Sequence, residues 1–543
     1  MKRYIKTFVP LLAIALTFGT TACVNDLDVE PIDPNYVEPS AEQLFTKCYA
    51  TMAAAGNGGA DGDSDVDGID GGTSGYYRQM WNAQDLTTDE AICGWGDEGI
   101  SNFVDNSYNA SHPMLRGYYY RLYTAITFCN QYLDQYADHD ATMTAEIRFL
   151  RAFHYFQLMD GWGNIPFATS ISSSAPEQRS RAEVYQFIED ELLDIEPNLS
   201  DAKAKKSSDA NYGRVDKAAC WMLLARLYLN AGVYTGNAQW DKAAEYAKKV
   251  MDSDYKLNTT GVGVWSAYQM LFMGDNGETS AAYEIIWPLL QDGKRTTSWG
   301  TSLFLIAGPF QDDMHENPLD ADKPEEERAV NGADPGWKGN RARKELVLKF
   351  FPDGNAPLGI PGYEMKTEAG DDRAMFSSVG ERTLENTEPG VFTSGFSVAK
   401  FTNFKTDGSA GNDPKHPDMD CPLMRKAEAY LIYAEATARQ NGGNATSAGV
   451  DALNQLRLRA HAGARSSYSL DDILDEWSRE TYFEGLRRTC LIRYNRYGGN
   501  TDYQWSWKGG TLEGRDFPAY RNLFAIPTTD LTANSNLVQN PGY

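Results

Sequence analysis

Two kinds of side chain in this 543-residue sequence are numerous or clustered enough to do chemistry, the carboxylates and the cysteines. The tightest acidic run, Asp63-Ser64-Asp65-Val66-Asp67-Gly68, reproduces the opening of an EF-hand calcium loop. Such a loop needs a bidentate Glu at its twelfth position, and Ser74 stands there instead, which favours a solvated acidic loop. Carboxylates also serve glycosidases, which set two of them across a cleft at a defined separation. With 75 acidic residues such a pair can be chosen anywhere, so acidity alone does not argue for a hydrolase. There is no H-E-x-x-H, G-x-S-x-G or P-loop pattern. Cys48, Cys93, Cys129, Cys220, Cys421 and Cys490 form no C-x-x-C pair, so neither a zinc site nor a redox motif is supported. Cys129, Cys220 and Cys490 lie on apolar helical faces and read as buried thiols.

The seventh cysteine, Cys23, has a different setting. Lys2, Arg3 and Lys6 precede an apolar run over 8–18 that is too short to span a bilayer, so residues 1–22 read as a signal peptide. Thr20-Thr21-Ala22-Cys23 ends it where a bacterial lipobox places its lipid-bearing cysteine, although Thr20 replaces the usual large aliphatic residue. Residues 23–40, rich in Asp and Pro, read as a lipidated tether, so the protein is expected to be anchored to a membrane rather than threaded through it. The net charge of −25 repels polyphosphates and argues against nucleic acid, while a neutral ligand pays no penalty.

The elements that must position any site are mainly helical. Residues 213–257 read as a hairpin of two helices: Ala218, Trp221, Met222, Ala225 and Leu229 share one face of the first, Gly232 breaks it, and Trp240, Ala243, Ala244, Ala247 and Val250 stripe the second. Large residues facing alanines are the grammar of a tetratricopeptide unit, which requires stacked neighbours. Further helices are expected over 41–55, 115–136, 144–159, 181–195, 422–440, 445–461 and 469–488. Between them, 258–420 is rich in glycine and proline, with short apolar runs such as Glu284-Ile285-Ile286-Trp287, and reads as an irregular lobe of short strands and long loops. The expected architecture is one unit over 41–543, with a helical scaffold from 41–257 and 421–543 and the loop-rich lobe where binding residues usually sit.

These segments, in this order, resemble the SusD/RagB family of outer-membrane nutrient-binding lipoproteins of Bacteroidetes. The resemblance is carried by Cys23 with Leu27-Asp28-Val29-Glu30-Pro31, Arg148-Phe149-Leu150-Arg151-Ala152-Phe153-His154-Tyr155, Gly213-Arg214-Val215-Asp216-Lys217 and Gly370-Asp371-Asp372-Arg373. Leu423-Met424-Arg425-Lys426-Ala427-Glu428, Arg479-Glu480, Phe483-Glu484-Gly485-Leu486-Arg487-Arg488 and the closing Gln539-Asn540-Pro541-Gly542-Tyr543 complete it. Gly75-Tyr76-Tyr77-Arg78, Thr88-Asp89-Glu90 with Trp95, Gly232-Val233-Tyr234-Thr235-Gly236 and Asp502-Tyr503-Gln504-Trp505-Ser506-Trp507 look most like its starch-binding members. The resemblance implies an α/α superhelix with no enzymatic activity. It also implies capture of starch and malto-oligosaccharides at the cell surface, or of a different glycan within the same family, and delivery to a SusC-like TonB-dependent transporter in the outer membrane.

A sugar ring offers an apolar C–H face to an aromatic and a polar rim to hydrogen-bonding groups. By local similarity to the starch-binding members, an aromatic arc falls on Trp95, Trp299 and Trp337, each beside a glycine in a loop-like setting. The alternative for each is a core tryptophan of the lobe. Arg78 is expected either to donate to sugar hydroxyls or to pair with the acidic loop before it. Glu98 stands close to where the resemblance places an asparagine contact and is the candidate acceptor. No cofactor is required, but Asp275, Asp418 and Asp420 are candidate ligands of a structural calcium joining the two lobes; carboxylates just before residue 422 would equally suit a helix N-terminus without metal. A pure protein-binding helical scaffold is disfavoured by the aromatic, glycine-rich lobe.

Overall fold

The computed structural model describes residues 37–59, 64–311, 314–324, 327–328, 330–333 and 335–543. The signal segment 1–22, Cys23, most of the tether and Asp63 lie outside these residues. Residues Ala41–Ala53 are helical (α1). The helices that follow are α2 (Tyr76–Trp81), α3 (Pro113–Tyr136), α4 (Ala141–Trp162), α5 (Arg181–Ile195), α6 (Lys217–Leu229) and α7 (Trp240–Met251). After a long irregular stretch containing α8 (Ser302–Ala307) come α9 (Lys426–Gln440), α10 (Ser447–Arg459), α11 (Leu470–Thr481) and α12 (Arg487–Arg493). Among the described residues no helix is long and apolar enough to cross a membrane.

Local chemistry sets these boundaries. Asp140 caps α4 by accepting from Met143 N–H, and Gly163, at φ 73°, ends it in a conformation that costs a side-chain-bearing residue. From Ala145 to Trp162 nearly every α4 side chain is buried, as expected of a helix enclosed on all sides. Ser180 and Glu183 close a reciprocal capping box on α5. Asp216, buried, accepts from Ala218 and Ala219 N–H at the start of α6.

The helices stack in sequence, α3 on α4, α4 on α5, α5 on α6 and α6 on α7. The stack then continues with α9, which packs on α7 and carries α10 and α11. Helices from both ends of the chain therefore form one layer, as the hairpin pattern requires. Ala225, Ala243 and Ala247 are fully buried at these contacts, and Arg226 on α6 makes a doubly hydrogen-bonded pair with Glu428 on α9 at 2.6 Å. The break between α6 and α7 differs from the expected one. Gly232 sits inside a short helix, Ala231–Thr235; α6 ends at Asn230, and Gly236 takes the left-handed position.

Two expected helices are also shorter than their periodicity indicates. Residues 421–425 form a strand rather than the start of a helix. Four short strands matter here: β1 (Ala91–Cys93), β2 (Ile285–Leu289), β3 (Asn340–Ala342) and β4 (Cys421–Arg425), with β1 antiparallel to β3 and β2 antiparallel to β4. All five residues of β2 and of β4 are buried, and Pro288 faces Pro422 at an irregular step in the ladder, so neither missing N–H breaks a regular pair. The expected helix over 469–488 stops at Thr481, because Phe483 and Gly485 are left-handed. Gly485, at φ 78°, takes a conformation that favours glycine, and a Cβ there would also push aside the flexible end of Met80, 2.5 Å away.

The segment after α11 belongs to a buried ion network. Glu480 accepts from Arg425 at 2.6 Å, from Arg373 at 3.3 Å and from Arg459. Arg425 also reaches Glu484 and Glu284, Arg373 pairs with Asp371 and Glu476, and Lys400 donates to Glu484 at 2.7 Å. Burial opposes the Glu480 charge, but Arg459, Arg425 and Arg373 outweigh it and hold the carboxyl down to about 2. Removing one member of such a network leaves unpaired charge in a dry interior, which costs about 3–5 kcal/mol. Glu480→Gln is therefore expected to lower unfolding free energy by about that amount in denaturant titration. Loss of the exposed Lys248–Asp252 pair through Asp252→Asn is expected to cost less than about 1 kcal/mol.

Candidate functional site

The β1–β3 pairing brings two distant loops together. Cys93 faces Asn340, Gly94 N–H donates to Gly339 C=O at 3.1 Å, and Trp95 Nε1 donates to Trp337 C=O at 2.8 Å. The 337–340 loop is pinned in turn to the end of α8, where Trp337 N–H donates to Ala307 C=O and Gly339 N–H to Gly308 C=O, both at 2.8 Å. Trp299 lies just before α8. Its neighbour Gly300 accepts from Arg78 N–H of α2 at 3.0 Å, and a Cβ on Gly75 would stand 2.8 Å from Gly300 Cα. Short helices α2 and α8 and the β1–β3 pair thus fix four side chains that span 260 positions of sequence.

The three tryptophans form a continuous row. The Trp95 and Trp337 rings are 6.2 Å apart with planes at 55°, and Trp337 and Trp299 are 6.3 Å apart with planes at 47°. All three are half-buried, so none is a core residue. Two residues that sequence reasoning missed adjoin the row: the buried Phe304 of α8 backs Trp95 at 6.0 Å, and the half-buried His416 lies 5.2 Å from Trp299 at the other end. Only their place in three dimensions marks them, since no local pattern connects residue 416 to residue 299. The site also draws on both parts of the chain, Arg78 and Trp95 from before the lobe and the other two tryptophans from within it.

Arg78 is buried, with its guanidinium 5.2 Å from the Trp95 ring and 5.5 Å from Phe304, an arrangement in which the cation faces the rings. Among the described residues it forms no ion pair, and its Nε has no hydrogen-bond partner. Burial pulls its pKa down while Asp97 and, more weakly, Asp70 act the other way. Of the two roles expected for Arg78, a pairing with the described residues of the acidic loop is absent. In that loop Asp65 instead pairs with Arg121 and, at 3.3 Å, with Lys47, and Ser64 is hydrogen-bonded to Ser74. Glu98 is exposed in the turn after Trp95.

Asp275, Asp418 and Asp420 do not assemble into the expected three-carboxylate cluster, and among the described residues no group of three or more His, Cys, Asp or Glu is placed to hold a metal. Each has taken protein donors instead. Asp275 Oδ2 accepts from Thr406 N–H and Oγ1, Asp418 Oδ2 from Asn412, and Asp420 from Gln291 N–H and the Tyr212 hydroxyl, both at 2.8 Å. Burial pushes Asp420 up to about 7. Oδ1 of Asp275 and Oδ1 of Asp418 remain buried without a hydrogen bond among the described residues. The six cysteines from Cys48 onward are free and buried.

The glycine on which the row depends most is not one that flanks a tryptophan. A Cβ on Gly339 would lie 2.1 Å from Trp95 Cε2, an overlap that backbone pairing on both sides cannot relieve, whereas Gly96 has open space around it. Gly339→Val is expected to displace the Trp95 indole and weaken binding at the row at least tenfold in calorimetry, whereas Gly96→Ala is expected to leave it unchanged.

Two family models match the chain, one described as the SusD family over residues 311–543 and one as starch-binding associating with outer membrane over residues 72–229. The chain is 38% identical over 579 residues to the starch-binding protein SusD of Bacteroides thetaiotaomicron, covering 100% of this chain and 99% of that one. It is 24% identical over 575 residues to the SusD-like protein P2 of Formosa agariphila, covering 100% of both. Among solved structures, a laminarin-binding SusD-like protein shares the fold with a TM-score of 0.64 at 22% identity, over 93% of this chain and 99% of that chain. The surface glycan-binding protein A from Bacteroides uniformis does so with a TM-score of 0.63 at 21% identity, over 92% and 98%. With that identity to a starch-binding protein along its whole length, the chain belongs to the SusD family of glycan-binding proteins.

Proposed function

We propose that this protein binds α-1,4-glucans, starch and malto-oligosaccharides, at the cell surface and passes them intact to a SusC-like TonB-dependent transporter, held to the outer membrane by a lipid on Cys23. The observation that carries the ligand class is the tilt of the tryptophan row. Successive rings stand 6.2 and 6.3 Å apart with planes inclined at 55° and 47°, so the row is not a flat platform. An α-1,4-glucan curves as a shallow helix and can lay consecutive sugar faces on such a surface. A flat β-1,4-glucan ribbon would touch one ring and lift from the next. The Arg78 guanidinium beside Trp95, which forms no ion pair among the described residues, is the donor for a sugar hydroxyl, and His416 stands beside Trp299 at the other end. The full-length identity to a starch-binding protein supports the same ligand. Stacking on half-buried rings leaves much of the sugar in water, so affinity is modest and release to a transporter is easy.

Calorimetry with maltoheptaose and with a cyclodextrin tests this reading. Both are expected to bind, the cyclodextrin more tightly than a linear chain of equal length because its curvature is already in place. Trp95→Ala and Trp299→Ala are each expected to weaken binding at least tenfold, about 1.4 kcal/mol, with no sugar cleaved. Equal binding of a cello-oligosaccharide would refute the α-glucan assignment.

We further propose a structural calcium that uses the unmet Oδ1 of Asp275 or of Asp418, completed by backbone and water oxygens rather than by the three-carboxylate cluster expected from sequence. A ligand that binds only the folded state raises the melting temperature in proportion to the logarithm of its excess over Kd. Added calcium is expected to raise the melting temperature of chelator-treated protein and to do so less in Asp418→Asn. A melting curve indifferent to calcium and chelator would remove the cation from the account.

A further inference from the structure

A second recess, sharing no residue with the tryptophan row, opens where the end of α6 and the start of α7 meet α9 and α12. It encloses about 320 Å³, within the range of roughly 300–1,000 Å³ usual for small-molecule sites. Trp240, Arg439, Arg493, Asn495 and Asn522 contribute its ring and polar groups, with Val233 beside them. Trp240 is half-buried and lends an indole to the wall.

The charges in this recess do not balance. Arg493 is buried and saturated: Nε and Nη2 donate to Glu435 at 2.7 and 2.8 Å, and Nη1 donates to Asn230 Oδ1 at 2.8 Å. Arg439 Nε donates to the same carboxylate at 2.8 Å, and the Trp477 indole N–H takes its other oxygen. One carboxylate thus answers two guanidiniums, and none of the lining residues is acidic. Arg439 Nη2 is buried with no hydrogen-bond partner among the described residues. Its guanidinium is held 4.6 Å from the Tyr494 ring and 6.0 Å from the Trp240 ring, so it cannot simply swing into solvent. A fixed, half-neutralised cation with a free N–H calls for an anionic oxygen. An indole face beside it calls for the apolar side of a ring. Asn522, whose Oδ1 accepts from Gly498 N–H at 3.0 Å, and the exposed Asn495 bring side-chain amides for hydroxyl groups.

We propose that this recess binds a single carboxylated sugar residue, a uronate, with its carboxylate on Arg439, its ring on Trp240 and its hydroxyls toward Asn495 and Asn522. The site is independent of the α-glucan reading: it uses other residues and another ligand charge. What marks this recess for an anion is the combination of the unmet Arg439 Nη2, an indole face beside it and a lining with no acidic residue.

The test is titration of the full-length protein with D-glucuronate and with D-glucose, read by calorimetry and by ligand-observed NMR. D-glucuronate is expected to bind at least tenfold more tightly than D-glucose. Arg439→Met and Trp240→Ala are each expected to weaken glucuronate at least tenfold, while Trp95→Ala leaves it unchanged. Should Arg439→Met prove unfolded by circular dichroism, Asn495→Asp serves in its place. It sets a negative charge at the exposed rim, at a left-handed position (φ 55°) that Asp tolerates, and is expected to weaken glucuronate to the same degree. No binding of glucuronate, equal binding of glucose, or binding indifferent to Arg439 and Asn495 would overturn the proposal. A loss with Trp95→Ala would place the sugar on the tryptophan row instead.

Discussion

Much of this molecule depends on keeping Glu480 and Arg425 ionised where water does not reach. Arg425 ends β4, Glu284 precedes β2, Arg459 ends α10, Glu480 lies near the end of α11, and Arg373 and Lys400 come from the loop-rich lobe. One network therefore joins β4 and the ends of α10 and α11 to Arg373 and Lys400 of the lobe. Each charge has lost its hydration, and only the full set of partners makes up for it. The interaction is directional as well as strong. A guanidinium held by two or three carboxylates fixes the angle between the segments that carry them, which a purely apolar contact would leave freer. Lys400 shows the same logic, since it donates to Glu484 and to Tyr482 C=O while lying 4.2 Å from the Tyr482 ring and 4.5 Å from the Phe272 ring.

That rigidity matters because the aromatic row has little support of its own. It rests on a three-residue strand pair, two six-residue helices and hydrogen bonds to the carbonyls of Ala307 and Gly308. Such short elements hold a geometry only when the body beneath them is fixed. The result is a surface whose rings are held in place, so on the proposed reading little ordering is left for a sugar to impose. Half-burial is the compromise: a fully buried indole could not stack on a ligand, and a fully exposed one would have no fixed plane.

The sequence was most legible where period and local chemistry agree. The helix over 181–195 has its bounds in the Ser180–Glu183 box, and the hairpin of α6 and α7 is visible in its alanines. It was least legible where a partner lies far along the chain. Residues 421–425 read as helix because Leu423 and Ala427 fall on one stripe, yet their conformation is decided by β2, more than 130 positions earlier. The helix expected to run to 488 breaks at 482–486 because Met80 and Asp85 press on Gly485, again from far away. The motif residues Arg373, Arg425, Glu480, Glu484 and Arg487 could be quoted from sequence, but their burial could not, since charged residues carry no periodic sign of being interior. Trp95, Trp299 and Trp337 were legible as candidates through the family resemblance. Their contact, the role of Gly339 and the presence of Phe304 and His416 required the fold.

The most direct measurement of the central claim is a crystal structure of the protein with maltoheptaose bound. The account predicts consecutive glucose rings stacked on Trp95, Trp337 and Trp299, with the chain curved along the row and the Arg78 guanidinium donating to a sugar hydroxyl. A sugar bound elsewhere with the three indoles bare, or a chain that crosses the row without stacking on it, would contradict it.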